Sequence, residues 1–197
     1  MLKIGITGGI GSGKTTVCHV FETFGIPVFY ADTVAKEIMT SDKILVKGIT
    51  EAFGKDSYIE GTLNRPHIAA QVFSSQERLD RLNALVHPAV FRAFELWLDT
   101  VPVQAPYILK EAALLFESGS YKMCDCSILV IAPIALRLAR VIERDQSTEE
   151  QVRARMDKQF SDEQKSAMAD DFITNEGSKS VILQVLDLHQ KYLNLKF

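Results

Sequence analysis

Residues 8–15 read Gly-Gly-Ile-Gly-Ser-Gly-Lys-Thr, and their neighbours leave little freedom in what can be built around them. The preceding Leu2-Lys3-Ile4-Gly5-Ile6-Thr7 is a short apolar run of the kind that forms a buried strand. The following Thr16-Val17-Cys18-His19-Val20-Phe21 opens an amphipathic helix. In the order strand, glycine loop, helix, the backbone N–H groups of the loop turn inward and make an anion nest at a helix N-terminus. Lys14 adds a point charge for β- and γ-phosphates, and the Thr15 hydroxyl can ligate Mg²⁺. Gly8, Gly9, Gly11, Ser12, Gly13, Lys14, Thr15 and Thr16 are therefore the candidate triphosphate site. Gly9 can equally serve only the turn, and Thr16 only the first turn of the helix.

The chain has 197 residues, 47% of them hydrophobic, which is enough for a sizeable core and excludes global disorder. A net charge of −3 and a pI near 5.8 argue against a nucleic-acid partner. No apolar run approaches the ~18 residues of a membrane span, and no membrane partner is expected. The three cysteines, Cys18, Cys124 and Cys126, make no disulfide-like framework and point to a reducing, cytoplasmic setting. Cys124-Asp125-Cys126 lacks the C-x-x-C spacing of redox or zinc motifs and reads as the start of a strand. His19, His67 and His189 lie in no ligand spacing and read as ordinary surface or packed side chains.

The hydrophobic pattern predicts strands over 2–7, 28–30, 107–111, 127–132 and 171–175, each followed by helical patterns. This alternation predicts an α/β fold, a doubly wound parallel five-stranded sheet of the P-loop type. Residues 33–99 show helices at 33–40, 43–53, 65–73, 76–86 and 88–99 and no clear buried strand, with His87-Pro88 expected to break the last pair. They read as a helical lobe inserted into a single domain whose core is 1–32 and 100–197, with a lid within about 137–166. Phe91, Phe94 and Trp97 recur at helical spacing and read as core.

A phosphate loop alone does not name the reaction. No Asn-Lys-x-Asp guanine motif is present, and the strand at 128–132 runs into Pro133 rather than an Asp. Small size and a helical insertion suit a small-metabolite kinase. Such an enzyme needs a carboxylate at the acceptor hydroxyl. Asp32, following strand 28–30 where open α/β sheets bind ligands, is the candidate. It could instead cap a helix beginning at Thr33. Glu111, at the end of the next strand, is a second candidate for Mg²⁺ or water. Arg137, Arg140 and Arg144 share one helix face and Arg153 and Arg155 follow, an arrangement that suits a lid stabilising the transferring phosphoryl group or simply a solvated helix.

The ordered set Thr7–Lys14, Ala31-Asp32, Leu63-Asn64-Arg65, His87-Pro88, Leu114-Leu115-Phe116-Glu117, Arg144-Asp145, Gln159, and Ala169-Asp170 through Asn175 and Gly177 resembles the dephospho-coenzyme A kinase family over nearly the whole chain. The resemblance implies MgATP-dependent phosphorylation of the ribose 3′-hydroxyl of dephospho-coenzyme A, with ATP and dephospho-coenzyme A as partners and no obligate protein partner. It implies that Asp32 is the catalytic carboxylate, with Lys14 and Arg140 acting on the phosphates. It places Gly11 to Thr16, Arg144 and Asn175 on the nucleotide, and Asn64, Arg65 and His87 on the acceptor side. Tyr30-Ala31-Asp32 departs from the family's frequent Asp-Ala-Asp, and Ala113-Leu114-Leu115 from its Pro-Leu-Leu. Another small-molecule kinase, or a nucleotide-dependent binding module, stands as the competing reading.

Overall fold

The computed structural model describes residues 1–73 and 75–195; the last two residues of the expected core segment, Lys196 and Phe197, lie outside these. By contacts along the chain it divides into two compact units, Met1–Tyr30 with Val101–Phe197, and Ala31–Thr100.

The first unit is built on a five-stranded, all-parallel sheet of order β2-β5-β1-β6-β7, from β1 (Leu2–Thr7), β2 (Val28–Tyr30), β5 (Tyr107–Glu111), β6 (Cys126–Ile131) and β7 (Asp171–Thr174). The central β1 is bracketed by β5 (Ile4 opposite Leu109) and β6 (Ile4 opposite Cys126). All five residues of β5 are buried, as expected of a strand covered on both faces. On one face Ile4, Ile6, Leu109, Ile128 and Val130 pack against Val17, Cys18 and Phe21 of α1 (Lys14–Thr23) and Val185 and Tyr192 of α9 (Val181–Asn194). A smaller cluster joins Leu138 and Val141 of α6 (Ile134–Asp145), Val152 of α7 (Glu149–Met156) and Ile10 of the glycine loop. A short α8 (Asp162–Ser166) precedes β7.

The second unit holds α2 (Ala31–Ser41), α3 (Lys43–Phe53), α4 (Arg65–Phe73) and α5 (Gln76–Leu98) around Leu45, Ile49, Phe53, Leu63, Ile68, Leu82 and Ala89. One expectation is corrected here. Pro88 does not split the last helix: α5 runs unbroken through it. Proline removes the N–H that would serve the carbonyl of Ala84, but Ala84 and Pro88 both face solvent while Leu82, Ala89 and Val90 stay buried. Water can satisfy the carbonyl, and the apolar stripe holds the helix together. The lobe also contains strands, the hairpin β3 (Tyr58–Ile59) and β4 (Thr62–Leu63). Its two-residue turn takes Glu60 at φ 49° and Gly61 at φ 78°, the double positive φ of a hairpin turn whose twist suits the strands. Phe94 is fully buried and stacks on Trp97, as the core reading expects, while Phe91 and Trp97 themselves are half-buried.

Candidate active site

The end of β1 delivers the chain into the glycine loop, and α1 leaves it. The N-cap of α1 is Gly13, which has no side chain to satisfy the first-turn amides, and the first turn carries no acidic residue. Those N–H groups and the positive end of the helix dipole are left for an anion. Ser12 N–H closes the turn onto the Gly9 carbonyl at 3.0 Å. Lys14 lies buried along the loop and donates from Nζ to the Gly8 carbonyl at 3.1 Å. The Ser12 hydroxyl is buried with no hydrogen-bond partner among the described residues. A buried orphan of this kind, beside uncapped amides and an ammonium, fits a phosphate oxygen. Gly13 has φ 90°, and a Cβ there would run into the Asn175 side-chain amide. Glycine here avoids left-handed strain and leaves room for the Asn175 amide against the loop.

Asn175, one residue past β7, forms the neighbouring wall. Its N–H bonds to the Ile131 carbonyl at 2.8 Å and its side-chain Nδ2 donates to the Ser12 carbonyl at 2.8 Å. Arg140 reaches over from α6, donating to the Gly11 carbonyl at 3.4 Å and the Asn175 carbonyl at 3.3 Å. One cation therefore stands at the lip of the loop without an ion pair among the described residues. Thr15 and Thr16 occupy the exposed first turn of α1. Glu111 ends β5 next to β1, buried, opposite Ile6 and Tyr30. Burial first, and then the Glu111 carboxylate, push the Cys18 thiol far above its usual range, so that sulfur is inert packing.

The other arginines of the expected lid are each paired with a carboxylate of the protein. Arg137 is buried, donates from Nε to the Ile10 carbonyl at 2.9 Å and forks onto Asp162 at 2.9 and 3.0 Å. Arg144, whose side chain is 65% exposed, pairs with Asp145 at 2.7 Å, and Arg155 joins the same carboxylate. Hydrogen bonds from Arg144 and then Arg155 hold Asp145 well below the usual carboxylate range. Arg153 pairs with Glu149 within α7. Gln159 Oε1 accepts the Ile10 N–H at 2.9 Å.

In the helical unit, Asp32 is the second residue of α2, exposed, in the first turn just past β2. It does not cap a helix from Thr33, because α2 already begins at Ala31. A carboxylate there is stabilised by the helix dipole. Asn64 is occupied as the cap of α4: Oδ1 accepts from the His67 N–H at 3.2 Å and Nδ2 donates to the Asp56 carbonyl at 2.9 Å. Arg65 is exposed at the start of α4, and His87 is half-buried within α5, its pKa lowered by burial. His67 bonds to the Phe53 carbonyl at 3.0 Å, and His189 stacks on Phe24 while sharing a hydrogen bond with the Tyr107 hydroxyl. What sequence reasoning missed is the attachment of Ile10 to Arg137 and Gln159 across more than a hundred residues, for which no spacing in the chain gives a signal.

Among the described residues no three His, Cys, Asp or Glu side chains gather as a metal cage, and no helix is long and apolar enough to cross a membrane. A divalent ion here would rest on ligand phosphates plus a hydroxyl such as that of Thr15, the usual habit of Mg²⁺.

The family model for dephospho-CoA kinase matches residues 2–180. A dephospho-CoA kinase of Salinibacter ruber is 46% identical over 180 residues, covering 90% of each chain. Among solved structures, TT1252 from Thermus thermophilus superposes with a TM-score of 0.84 at 34% identity over 98% of both chains. The dephospho-CoA kinase from Campylobacter jejuni does so with a TM-score of 0.68 at 26% identity over 96% of both. With the family pattern spanning nine-tenths of its length and the phosphate loop in place, the chain belongs to the dephospho-CoA kinase family.

Proposed function

We infer that the chain transfers the γ-phosphoryl group of ATP to the ribose 3′-hydroxyl of dephospho-coenzyme A, giving coenzyme A and ADP, the closing step of coenzyme A synthesis. The observation that carries this reading is the uncapped N-terminus of α1 beside buried Lys14, in a chain of this family. The amides of Gly11, Gly13, Lys14, Thr15 and Thr16 and the orphaned Ser12 hydroxyl hold the triphosphate, with Gly8 and Gly9 shaping the turn. Lys14 offsets charge on the β- and γ-phosphates, and Arg140 meets the charge that spreads over the transferring group. Asp32 orients the acceptor hydroxyl and takes its proton as the new O–P bond forms and the bond to the β,γ-bridging oxygen breaks. Bound Mg²⁺ would be held by Thr15 and would neutralise phosphate charge. Asn175 and Arg144 serve the nucleotide side; Asn64, Arg65 and His87 serve the acceptor side. The free thiols fit the cytoplasm, and the net charge of −3 fits small-molecule partners rather than nucleic acid.

ADP release measured across a panel of acceptors, with products identified by mass, tests the reading. Dephospho-coenzyme A should stimulate release and gain one phosphoryl group. Stimulation by a different alcohol, such as shikimate or a nucleoside, with none by dephospho-coenzyme A, would overturn it.

A further inference from the structure

We propose that Arg137, Gln159 and Asp162 are positioning residues that clamp the outer wall of the phosphate loop in its anion-accepting shape; this rests on the phosphoryl-transfer reading of the same loop. Ile10 sits at the tip of the loop, and both of its backbone groups are taken from outside. Its N–H donates to Gln159 Oε1 at 2.9 Å, and its carbonyl accepts from Arg137 Nε at 2.9 Å. An amide hydrogen aimed at Gln159 is not available to a phosphate, so the nest is made by the residues that follow. The guanidinium of Arg137 fills the space a Cβ on Gly9 would need, and its carbonyl lies 2.5 Å from where a Cβ on Gly11 would sit. These two loop glycines are therefore shaped by α6 as much as by backbone angles.

The clamp is itself anchored. Asp162 holds Arg137 through two hydrogen bonds, and the Arg137 side chain is only 7% exposed. Asp162 opens α8, whose N-terminus is fixed by reciprocal bonds between Ser161 and Gln164. Fully buried Lys165, on the same helix, pairs with Glu117 at 3.0 Å and donates to the Ala113 carbonyl at 3.0 Å. Glu117 also accepts the Phe160 N–H at 2.8 Å. Residues 159–165 thus bridge the loop after β5 and the outside of the phosphate loop. Arg137, which the sequence groups with the lid arginines, acts through Ile10 and not on the phosphoryl group.

The test uses the full chain carrying Gln159→Ala, Asp162→Asn or the charge-retaining Asp162→Glu. ATP KM, dephospho-coenzyme A KM and kcat are measured, with ADP affinity by calorimetry and thermal melting as controls. Gln159→Ala and Asp162→Asn should each raise ATP KM and ADP Kd about tenfold, the scale of one hydrogen bond involving a charged or tightly held group. Acceptor KM should stay within about twofold, and Asp162→Glu should stay within about threefold of wild type throughout. An ADP Kd within twofold of wild type in both Gln159→Ala and Asp162→Asn would overturn the proposal, as would equal rises in both substrates' KM. Should Asp162→Asn fail to fold, Gln159→Ala, which removes no charge, decides the matter. If wild-type protein leaves dephospho-coenzyme A untouched, the proposed reaction falls while the ADP titrations still judge the clamp.

Discussion

Replacing Gly13 by alanine should cost about 2.5 kcal/mol, and the cost can be divided. At φ 90° a Cβ brings left-handed strain of about 1.5 kcal/mol. The same Cβ evicts the Asn175 amide, breaking its 2.8 Å bond to the Ser12 carbonyl, worth about 1 kcal/mol. Asn175→Ala alone should therefore cost about 1 kcal/mol. In the double variant the eviction has already happened, so the total should remain near 2.5 kcal/mol rather than the 3.5 kcal/mol of independent effects. The coupling of about 1 kcal/mol is well outside the usual scatter of additivity, about 0.3–0.5 kcal/mol. Urea unfolding of all four proteins measures it. Circular dichroism should be the probe, because the single tryptophan, Trp97, belongs to the helical unit and not to the sheet. Additive costs would show that Asn175 and Gly13 do not compete for one space, and the account of how the loop closes would fail.

Asp32→Asn should lower kcat by about 10²-fold or more, with ADP affinity within twofold by calorimetry; near-normal turnover would remove Asp32 from the chemistry. Lys14→Ala should weaken ADP binding and lower kcat together, and unchanged kinetics would contradict the loop assignment. Burial lowers the His87 pKa below its ordinary 6.5, so the folded state favours neutral imidazole. Its stabilisation is complete above the unfolded value and is lost as pH falls through the folded one. Urea midpoints at pH 7.5 and pH 5.5 should therefore differ less in His87→Leu than in wild type; an undiminished difference would mean that His87 carries none of the acid sensitivity.

The sheet was readable because buried parallel strands are short apolar runs with a glycine or proline at one boundary, and β1, β2 and β5 lie where such runs predict. The phosphate loop was readable for a related reason: its chemistry is local, and eight consecutive residues carry it. The hairpin at Tyr58–Leu63 was not, since two residues per strand leave no alternation to detect. Pro88 misled because its effect depends on whether the freed carbonyl reaches water, which is a property of the folded lobe. Arg137 misled because helical spacing gives the face a side chain occupies but not its partner. Asp162 is 25 residues away and Ile10 is 127, so only the tertiary structure could set a bracing arginine apart from one that meets a ligand.

The position of β1 has a consequence for how the molecule comes into being on the ribosome. Both strands that flank it, β5 and β6, are encoded beyond residue 106. Until they are synthesised, the amino-terminal strand has no neighbour and the glycine loop nothing to brace it. The helical segment between has an apolar centre of its own and can gather while translation continues. Nucleotide binding is thus withheld until β5 and β6 have emerged, and β1, made before both, waits for them to be locked in place.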